Sequence, residues 1–417
     1  MKILVGITGG IAAYRGAELA RTLTKRGHVV RCCLTEAGSR FITPLTLASL
    51  TGQPCFGANP EYHEWRPNPI IEHVDLARWA DLVVVAPATA DIMGKTAGGL
   101  ADDLLSTLLL ATTAPVLWAP AMNKAMWAHP AVQANVARLK GFGHTVVEPA
   151  EGMLACGEEG AGRLAEVADI ADAVETLAGP AHPALAGRAI LITAGPTQED
   201  LDPVRTLTNR SSGAMGIELA RAFRNAGARV SLVLGGDLPA PWGVPTVRVR
   251  SAQQMLEACQ ALWPDQDGLV AAAAVADQRP QTCAQEKVKK GLGPETLVLV
   301  RTPDVLSTLS ANRGRDQWLL GFAAESEAHV PNATVKLRKK HLDGVLVNDI
   351  GHGKAFGHQA NTLLPLTAAG PAEPIGPLPK DQLALAVARW WGDWLAIRSP
   401  APWPDAGPVP GRSAGCG

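Results

Sequence analysis

The chain has 417 residues, 47% of them apolar, and a formal net charge of -1 at pH 7. That length suits two domains, and that apolar content fills buried cores, which excludes a disordered chain. A charge balance so near zero excludes a global field that would gather nucleic acid or an anionic membrane.

Seven cysteines stand at Cys32, Cys33, Cys55, Cys156, Cys259, Cys283 and Cys416. They contain no Cys-x-x-Cys pair, so zinc is not expected. Their odd number and irregular spacing fit reduced thiols in the cytoplasm. The opening MKILVGITGG is a short apolar run ending in glycines, the pattern of a first strand rather than a secretory segment. Strands are expected at Ile3–Thr8, Val29–Leu34, Leu82–Ala86, Val116–Ala119 and Thr145–Val147. In the second half they are expected at Ala189–Thr193, Arg229–Leu234, Leu269–Ala273, Leu297–Val300, Trp318–Gly321 and Val345–Val347. Amphipathic helical stretches alternate with these runs. The runs are apolar throughout, as strands covered by helices on both faces are. The expected class is therefore α/β: two Rossmann-like domains, each a mostly parallel sheet flanked by helices. Leu104–Met122 is uncharged, but Pro115, Pro120 and Thr112-Thr113 break it into a helix ending near Ala111 and a buried strand, Pro115 to Ala119. The expected domains are 1–178 and 188–398, with a linker at 179–187 and a disordered Pro/Gly-rich tail at 399–417. Leu383–Ile397 reads as the last helix, with Trp390 and Trp391 in a core or interface.

GITGGIAAYRGAELA places a glycine turn between the first strand and a helix N-terminus. Backbone N–H groups of Gly9, Gly10 and Ile11 can hold a phosphate there. The spacing is not Gly-x-Gly-x-x-Gly, and no acidic residue ends the second strand. Thr35 stands in that region, with a hydroxyl suited to a phosphate or ribityl group. This favours a mononucleotide such as FMN over NAD, with a merely structural turn as the alternative. APATADIMGK sets Ala86, Pro87 and Thr89 beyond the central strand, where they can meet an isoalloxazine edge; Thr89 can equally cap the next helix. His73 lies in EHVDLARWADL, and a lone histidine is more often a surface or capping residue than a catalyst. PAMNKAMW puts Asn123 between Met122 and Met126, an amide suited to orienting a carboxylate beside a flat apolar ring, or else a core-packed turn. The glycine-dense stretch GMLACGEEGAGRLAE, 152–166, reads as a loop around Cys156 that can close over a ligand and donate a proton; the alternative is an inert thiol in a surface turn.

Taken in order, GGIAAYR, HVDLARWADL, PATADIMGK, PAMNKAMW and LACGEEGAGR closely resemble the homo-oligomeric flavin-containing cysteine decarboxylases, and within them the phosphopantothenoylcysteine decarboxylase domain. The resemblance covers roughly the first 175 residues. It implies a trimer-based assembly with FMN at subunit contacts and His73 as the active-site histidine. It implies Asn123 on the substrate carboxylate, with Met122 and Met126 beside it, and Cys156 as proton donor. Decarboxylation of a cysteine leaves a carbanion without an electron sink. A flavin that takes a hydride from the thiol-bearing carbon, and later returns it, supplies that sink with no net redox change. Arg15 stands where the family more often has Lys, and Asp91 where it often has Asn.

ITAGPTQEDLDPVRTLTNRSSGAMG, 192–216, repeats the pattern of strand, loop and helix start. Ser211, Ser212 and Gly213 make a polyphosphate cradle or an ordinary Ser-rich cap; the P-loop pattern is absent. Ala271, Ala272 and Ala273, then Asp277, stand at a strand end in AAAAVADQRP. EKVKK (286–290), TPDVL (302–306), GFAAES (321–326) and KLRKKHLD (336–343) follow. Such lysines usually mark a solvated face, yet these recur beside strand ends, where α/β sheets bind ligands.

The ensemble resembles the phosphopantothenate–cysteine ligase domain of a bifunctional bacterial family, from Arg188 to about Arg389. The resemblance implies that CTP activates 4′-phosphopantothenate as an acyl-cytidylate and that the amine of cysteine displaces CMP. It implies the nucleotide at Ala271, Ala272, Ala273, Asp277, Lys287, Phe322, Lys336 and Lys340, with Pro303, Asp304, Val305 and Leu306 nearby. Arg205 and Asn209 would hold the phosphopantothenate or its activated carboxyl, and Lys287 would stabilise developing charge. Mg2+ is expected with the triphosphate, without an evident ligand set. Ala214 replaces a common Lys, Gln278 a common Tyr, and AFGHQAN (355–361) matches loosely. The two halves together imply a cytoplasmic enzyme of coenzyme A biosynthesis whose ligase product is its decarboxylase substrate. The expected assembly is a homo-oligomer built from decarboxylase trimers and ligase dimers, with no nucleic-acid or membrane partner. The alternatives are a flavin-binding regulatory protein that acts through protein partners, and a flavin enzyme for another thiol substrate.

Overall fold

The computed structural model describes residues 1–57, 72–153, 157, 159–178, 182–289, 296–325, 327, 329–349 and 360–398. Cys156, Lys290, Ser326, residues 355–359 of AFGHQAN and the 399–417 tail lie outside the described residues. The chain divides into two compact units, Met1–Ala178 and Gly179–Gly417.

In the first unit the strands are β1 (Lys2–Ile7), β2 (Val29–Leu34), β3 (Cys55–Phe56), β4 (Leu82–Ala88), β5 (Val116–Pro120) and β6 (Thr145–Val146). They form one parallel sheet in the order β3-β2-β1-β4-β5-β6, the doubly wound order. Every residue of β4 is buried, so helices must cover both faces. The helices are α1 (Ala13–Lys25), α2 (Glu36–Ser39), α3 (Pro44–Thr51), α4 (Glu72–Trp79), α5 (Ala90–Gly98), α6 (Leu104–Ala111), α7 (Lys124–Ala128), α8 (Pro130–Gly141) and α9 (Val167–Ala178). α1 buries Ala13, Gly16, Ala17, Leu19, Ala20 and Leu23, the stripe that a 3.6-residue period puts on one face. The uncharged stretch before Met122 divides as expected into α6 and β5. Asp103 and Ser106 start α6 with a reciprocal capping box.

Within the expected loop at 152–166 the described residues include one half of an antiparallel pair, β7 (Ala150–Met153) with β8 (Glu159–Arg163). Its glycines carry no alternating apolar pattern, so its pairing left no trace in the sequence.

The second unit holds β9 (Ala189–Ala194), β10 (Gln198–Asp200), β11 (Thr206–Thr208), β12 (Arg229–Gly235), β13 (Thr246–Val249), β14 (Gly268–Ala271), β15 (Gln278–Pro280) and β16 (Leu299–Arg301). β17 (Trp318–Glu325), β18 (Gly344–Asp349), β19 (Asn361–Thr367), β20 (Gly370–Pro371) and β21 (Ile375–Leu378) complete it. The main sheet runs β13-β12-β9-β14-β17-β18-β19-β20, with β21 also on β19. It is parallel as far as β18 and antiparallel beyond. Counted from β9, its parallel strands repeat the order of the first sheet. Its helices are α10 (Ala214–Asn225), α11 (Ala252–Leu262), α12 (Val305–Ala311), α13 (His329–Lys339) and α14 (Lys380–Ile397).

Two expectations need correction here. The run Leu297–Val300 does not join the main sheet: β16 pairs antiparallel with β15 in a separate ribbon, and Leu297 and Val298 are exposed. The strand expected to reach Ala273 ends at Ala271, which frees the following alanines to form a bend. In the stretch read as a linker, Leu185 is fully buried in the core of the second unit. Among the described residues no helix is long and apolar enough to cross a membrane.

The aromatic centre of the second unit is Trp391 on α14. Its ring stacks on Trp394 at 4.3 Å and meets Trp318 of β17 edge-on at 5.3 Å, with no exposed surface of its own. Trp391→Ala is expected to destabilise the second unit by about 3–5 kcal/mol. Denaturant unfolding followed by tryptophan fluorescence reads this out, and a midpoint equal to wild type would contradict a load-sharing Trp391.

Candidate active sites

In the first sheet the strand order reverses between β1 and β4, so the crevice for a ligand opens at their carboxyl ends. The expected flavin residues gather on both sides of it. A Cβ on Gly9 would lie 2.4 Å from that of Ala37, whereas one on Gly10 would meet nothing within 4 Å. Ile11 is 63% exposed. α1 begins just beyond, with no side-chain cap and no acidic residue in its first turn, so its positive end is unneutralised. The Thr35 hydroxyl accepts from the Gly38 N–H at 3.1 Å and caps α2. Across the crevice the Thr8 hydroxyl donates to the Pro87 carbonyl at 2.7 Å and accepts from the Thr89 N–H at 3.1 Å. Thr8 thus fixes the turn of Ala86, Pro87 and Thr89. Thr89 occupies the cap position of α5, but its side chain makes no capping bond. Asp91 pairs with Lys95 at 3.1 Å, a contact within the helix.

The loop after β5 carries the substrate candidates. Asn123 Oδ1 accepts from the Ala125 N–H at 2.7 Å, and Met126 is 47% exposed. The Met122 N–H donates to the Gly162 carbonyl of β8 at 2.9 Å. Gly162 has φ +146°, and a Cβ there would sit 2.3 Å from the Met122 carbonyl oxygen. Only glycine allows the hairpin to lie so close to Asn123. The hairpin is also tied to α1: Glu166 accepts from Arg15 at 2.8 Å and pairs with Arg163. Arg15 in turn holds the Glu166 carboxyl below its ordinary pKa. The hairpin therefore lies against the Asn123 loop. His73 is half-buried in the first turn of α4, which packs on α6. Burial pushes the thiols of Cys55 and Cys259 up to about 12, so neither supplies a thiolate at neutral pH.

In the second unit a cavity of about 520 Å³ opens at the carboxyl ends of β9, β14 and β17. Ala271, Ala273, Asp277, Pro303, Asp304, Val305, Leu306, Phe322, Lys336 and Lys340 all line it. Lys336 donates to the Phe322 carbonyl, and Lys340 pairs with Asp304 at 2.8 Å. Burial works against the Asp304 carboxylate, but the bonds from Lys340 and Ser307 outweigh it and hold its pKa below the ordinary value. Thr193, Thr302 and Arg301 line the cavity too and were not singled out from sequence. Thr302 donates to the Ala276 carbonyl, and TPDVL was the only signal for it.

The remaining candidates do not line this cavity. Ala272 turns towards the core, its N–H bonded to the Thr193 carbonyl at 3.1 Å. Asn209 donates to the carbonyls of Ala274 and Val275, each at 3.1 Å, and so braces the cavity wall from outside. Ser211 and Ser212 accept from the N–H groups of Gly213 and Ala214 at 3.2 and 3.4 Å. Gly213 is the N-cap of α10 at φ +80°, so the capping role is the one visible here. Arg205 directs its guanidinium edge at Asp202, with bonds of 2.9 and 2.6 Å. Lys287 is exposed on the segment that follows β15.

Residues 1–179 match the family described as Flavoprotein, and residues 185–392 match the DNA/pantothenate metabolism flavoprotein C-terminal domain. The chain is 42% identical over 400 residues to the coenzyme A biosynthesis bifunctional protein CoaBC of Vibrio cholerae, covering 93% of this chain and 96% of that protein. It is 44% identical over 377 residues to the protein of that name from Mycobacterium tuberculosis, covering 86% and 88%. With the Bacillus subtilis protein it shares 43% identity over 363 residues, again covering 86% and 88%. This chain belongs to that bifunctional family. Membership accounts for two strand-end sites on one polypeptide: each unit matches one half of the family, and each sheet carries its own cluster.

The cavity of this family member contains a charge conflict. Burial, and then the like charge of Lys340, lower the pKa of Lys336. A depressed amine weakens the fold at any pH below its folded pKa, and the penalty vanishes above the unfolded value near ~10.4. Lys336→Met is therefore expected to raise the melting temperature of the second unit at pH 7, with the gain fading by about pH 11. Calorimetry of both proteins across that range tests this; a Lys336→Met midpoint at or below wild type at pH 7 would reverse the sign.

Proposed function

We propose that the second unit uses CTP to join 4′-phosphopantothenate to L-cysteine, and that the first unit, with FMN, decarboxylates the phosphopantothenoylcysteine to 4′-phosphopantetheine. The observation that carries this reading is a pair of strand-end clusters, one per unit, in a chain aligned almost end to end with bifunctional coenzyme A biosynthesis proteins.

The first unit fits FMN. An uncapped helix N-terminus and the open space at Gly10 suit its phosphate, with Thr35 alongside. The Ala86–Thr89 turn, held by Thr8, faces the same crevice and suits the ring edge. Bound there, FMN supplies a reversible hydride acceptor. Asn123 orients the substrate carboxylate, and Met122 and Met126 give it an apolar wall. Cys156 delivers the proton. His73 acts from α4. Exposed Ile11 and Tyr14 beside the flavin turn support subunit contacts there, in line with decarboxylase trimers joined through ligase dimers.

In the second unit the small side chains of Ala271 and Ala273 leave room for the nucleotide, and Lys336 and Lys340 supply charge for its phosphates. Asn209 and Lys287 serve the acyl transfer, Lys287 by stabilising charge that develops on the transferring group. Mg2+ is assigned to the phosphates of CTP, in keeping with its reluctance to shed water for a protein cage.

Incubation of the purified protein with 4′-phosphopantothenate, cysteine, Mg2+ and either CTP or ATP, read by mass spectrometry, tests the whole proposal. CTP is expected to give 4′-phosphopantetheine. Accumulation of phosphopantothenoylcysteine alone would turn the first unit into a flavin-binding regulator, and no product at all would remove the ligase reading. Asn123→Asp is expected to lower decarboxylation at least ~100-fold by placing a second carboxylate against the substrate's own, while CTP-dependent ligation continues. Decarboxylation near the wild-type rate would sever Asn123 from that role.

A further inference from the structure

The ligase reading gives Lys287 a task but not the means to perform it: an exposed lysine on a segment without secondary structure is not held by its own neighbours. The segment is held from elsewhere. The Ala284 N–H donates to the Leu201 carbonyl at 3.1 Å, and the Val288 N–H donates to Asp202 Oδ2 at 3.2 Å. Arg205 Nη2 donates back to the Val288 carbonyl at 3.2 Å. These bonds flank Lys287 on both sides and fasten its segment to the turn between β10 and β11.

Asp202 is the hub of that turn. Its buried carboxylate accepts from the N–H groups of Val204 and Arg205 at 2.8 Å each, from Arg205 Nε at 2.9 Å and Nη2 at 2.6 Å, and from Val288. A buried carboxylate normally carries a heavy cost, and here Arg205 and backbone N–H groups satisfy it. The bond from Arg205 first, then those backbone groups, hold it far below the ordinary carboxylate range, so it stays ionised throughout the working pH. The other end of the same ribbon leads into Asn209, whose amide grips the Ala274 and Val275 carbonyls. One ribbon thus joins the Lys287 segment at its turn and the cavity wall at its end.

We propose that Asp202 is the positioning residue for Lys287: through Val288 and Arg205 it fixes the segment that carries the lysine. This rests on the ligase reading given above. Asp202 touches neither substrate nor nucleotide, so its removal acts on the rate of acyl transfer and leaves nucleotide capture at the Lys336–Lys340 cavity in place.

The test uses the full chain with FMN bound. Asp202→Asn is expected to lower kcat of CTP-dependent ligation about 30-fold, with KM for CTP within about threefold of wild type. Decarboxylation of supplied phosphopantothenoylcysteine stays unchanged. Lys287→Gln alone lowers ligation, and in that background Asp202→Asn adds little, because both changes remove one device. Hydrogen exchange at the Val288 amide speeds up in Asp202→Asn. Val288→Pro removes that donor at an exposed position, while also restricting the backbone at Lys287, and keeps the test open if Asp202→Asn does not fold; it reproduces the kcat loss at an unchanged melting temperature. Independent, multiplicative losses in the double variant would overturn the proposal, as would a kcat within about twofold of wild type in both Asp202→Asn and Val288→Pro. A parent chain that ligates normally with Lys287→Gln would overturn the role of Lys287 itself, whereas slow ligation in Lys287→Gln with full activity in Asp202→Asn would leave the lysine and remove only its anchor.

Discussion

Strands buried on both faces leave no room for chemistry along their length. β4 exposes nothing over its seven residues, and β9 is buried throughout. Every polar group that acts must therefore stand past a strand's carboxyl end, where the helices diverge and the backbone turns. The same strand order in both sheets puts the reversal at equivalent places, between β1 and β4 and between β9 and β14. The two sites are consequences of that shared constraint, met by different residues: an open glycine turn and an uncapped helix in the first unit, a bend of small residues faced by two lysines in the second.

Around each crevice stands a second layer of short antiparallel pairs. The β7–β8 hairpin lies over the Asn123 loop, and the β10–β11 and β15–β16 ribbons stand beside the alanine bend. These pairs contribute little apolar burial. They are held by particular bonds: Met122 to Gly162, Glu166 to Arg15, Asn209 to Ala274, Asp202 to Val288. Removal of one such bond disturbs one site and leaves the core alone, because the core is packed elsewhere, around residues such as Trp391 and Leu320. Stability and positioning are thereby carried by separate sets of residues.

That separation also decides what the sequence discloses. Continuous apolar runs such as ILVGI and LVVVA mark the parallel strands, since their burial on both faces is written in composition. The α/β class and the motifs at strand ends followed directly. The ribbons did not, because EGAGR, QED and TLT have neither length nor alternation, and β19 is interrupted by Pro365. Leu297–Val300 misled for the opposite reason: it is apolar enough for a core strand, yet it lies largely exposed beside a ribbon. Among the candidate residues, Ala271, Ala273, Lys336 and Lys340 line one cavity. Arg205 also bonds a buried aspartate three residues away, a partner that spacing alone does not disclose.

Polar residues at helix starts present the same ambiguity, and it resolves differently at each. Thr35 caps α2, and Ser211 and Ser212 accept the N–H groups of Gly213 and Ala214 at the start of α10, so their oxygens already accept backbone N–H groups. Thr89 occupies a cap position without capping, and the work of fixing its turn falls to Thr8. A hydroxyl group can accept more than one bond, so capping leaves Thr35 able to meet a phosphate. For Ser211 and Ser212 the balance lies the other way, since the lysines that would neutralise a polyphosphate, Lys336 and Lys340, line a cavity those serines do not reach. The conflict between buried Lys336 and its neighbour Lys340 has meaning only if something anionic enters between them. A fold that keeps two amines together in a half-buried cleft, with Asp277 and Asp304 also lining it, has its stability set against its binding, and an anionic ligand would relieve that conflict.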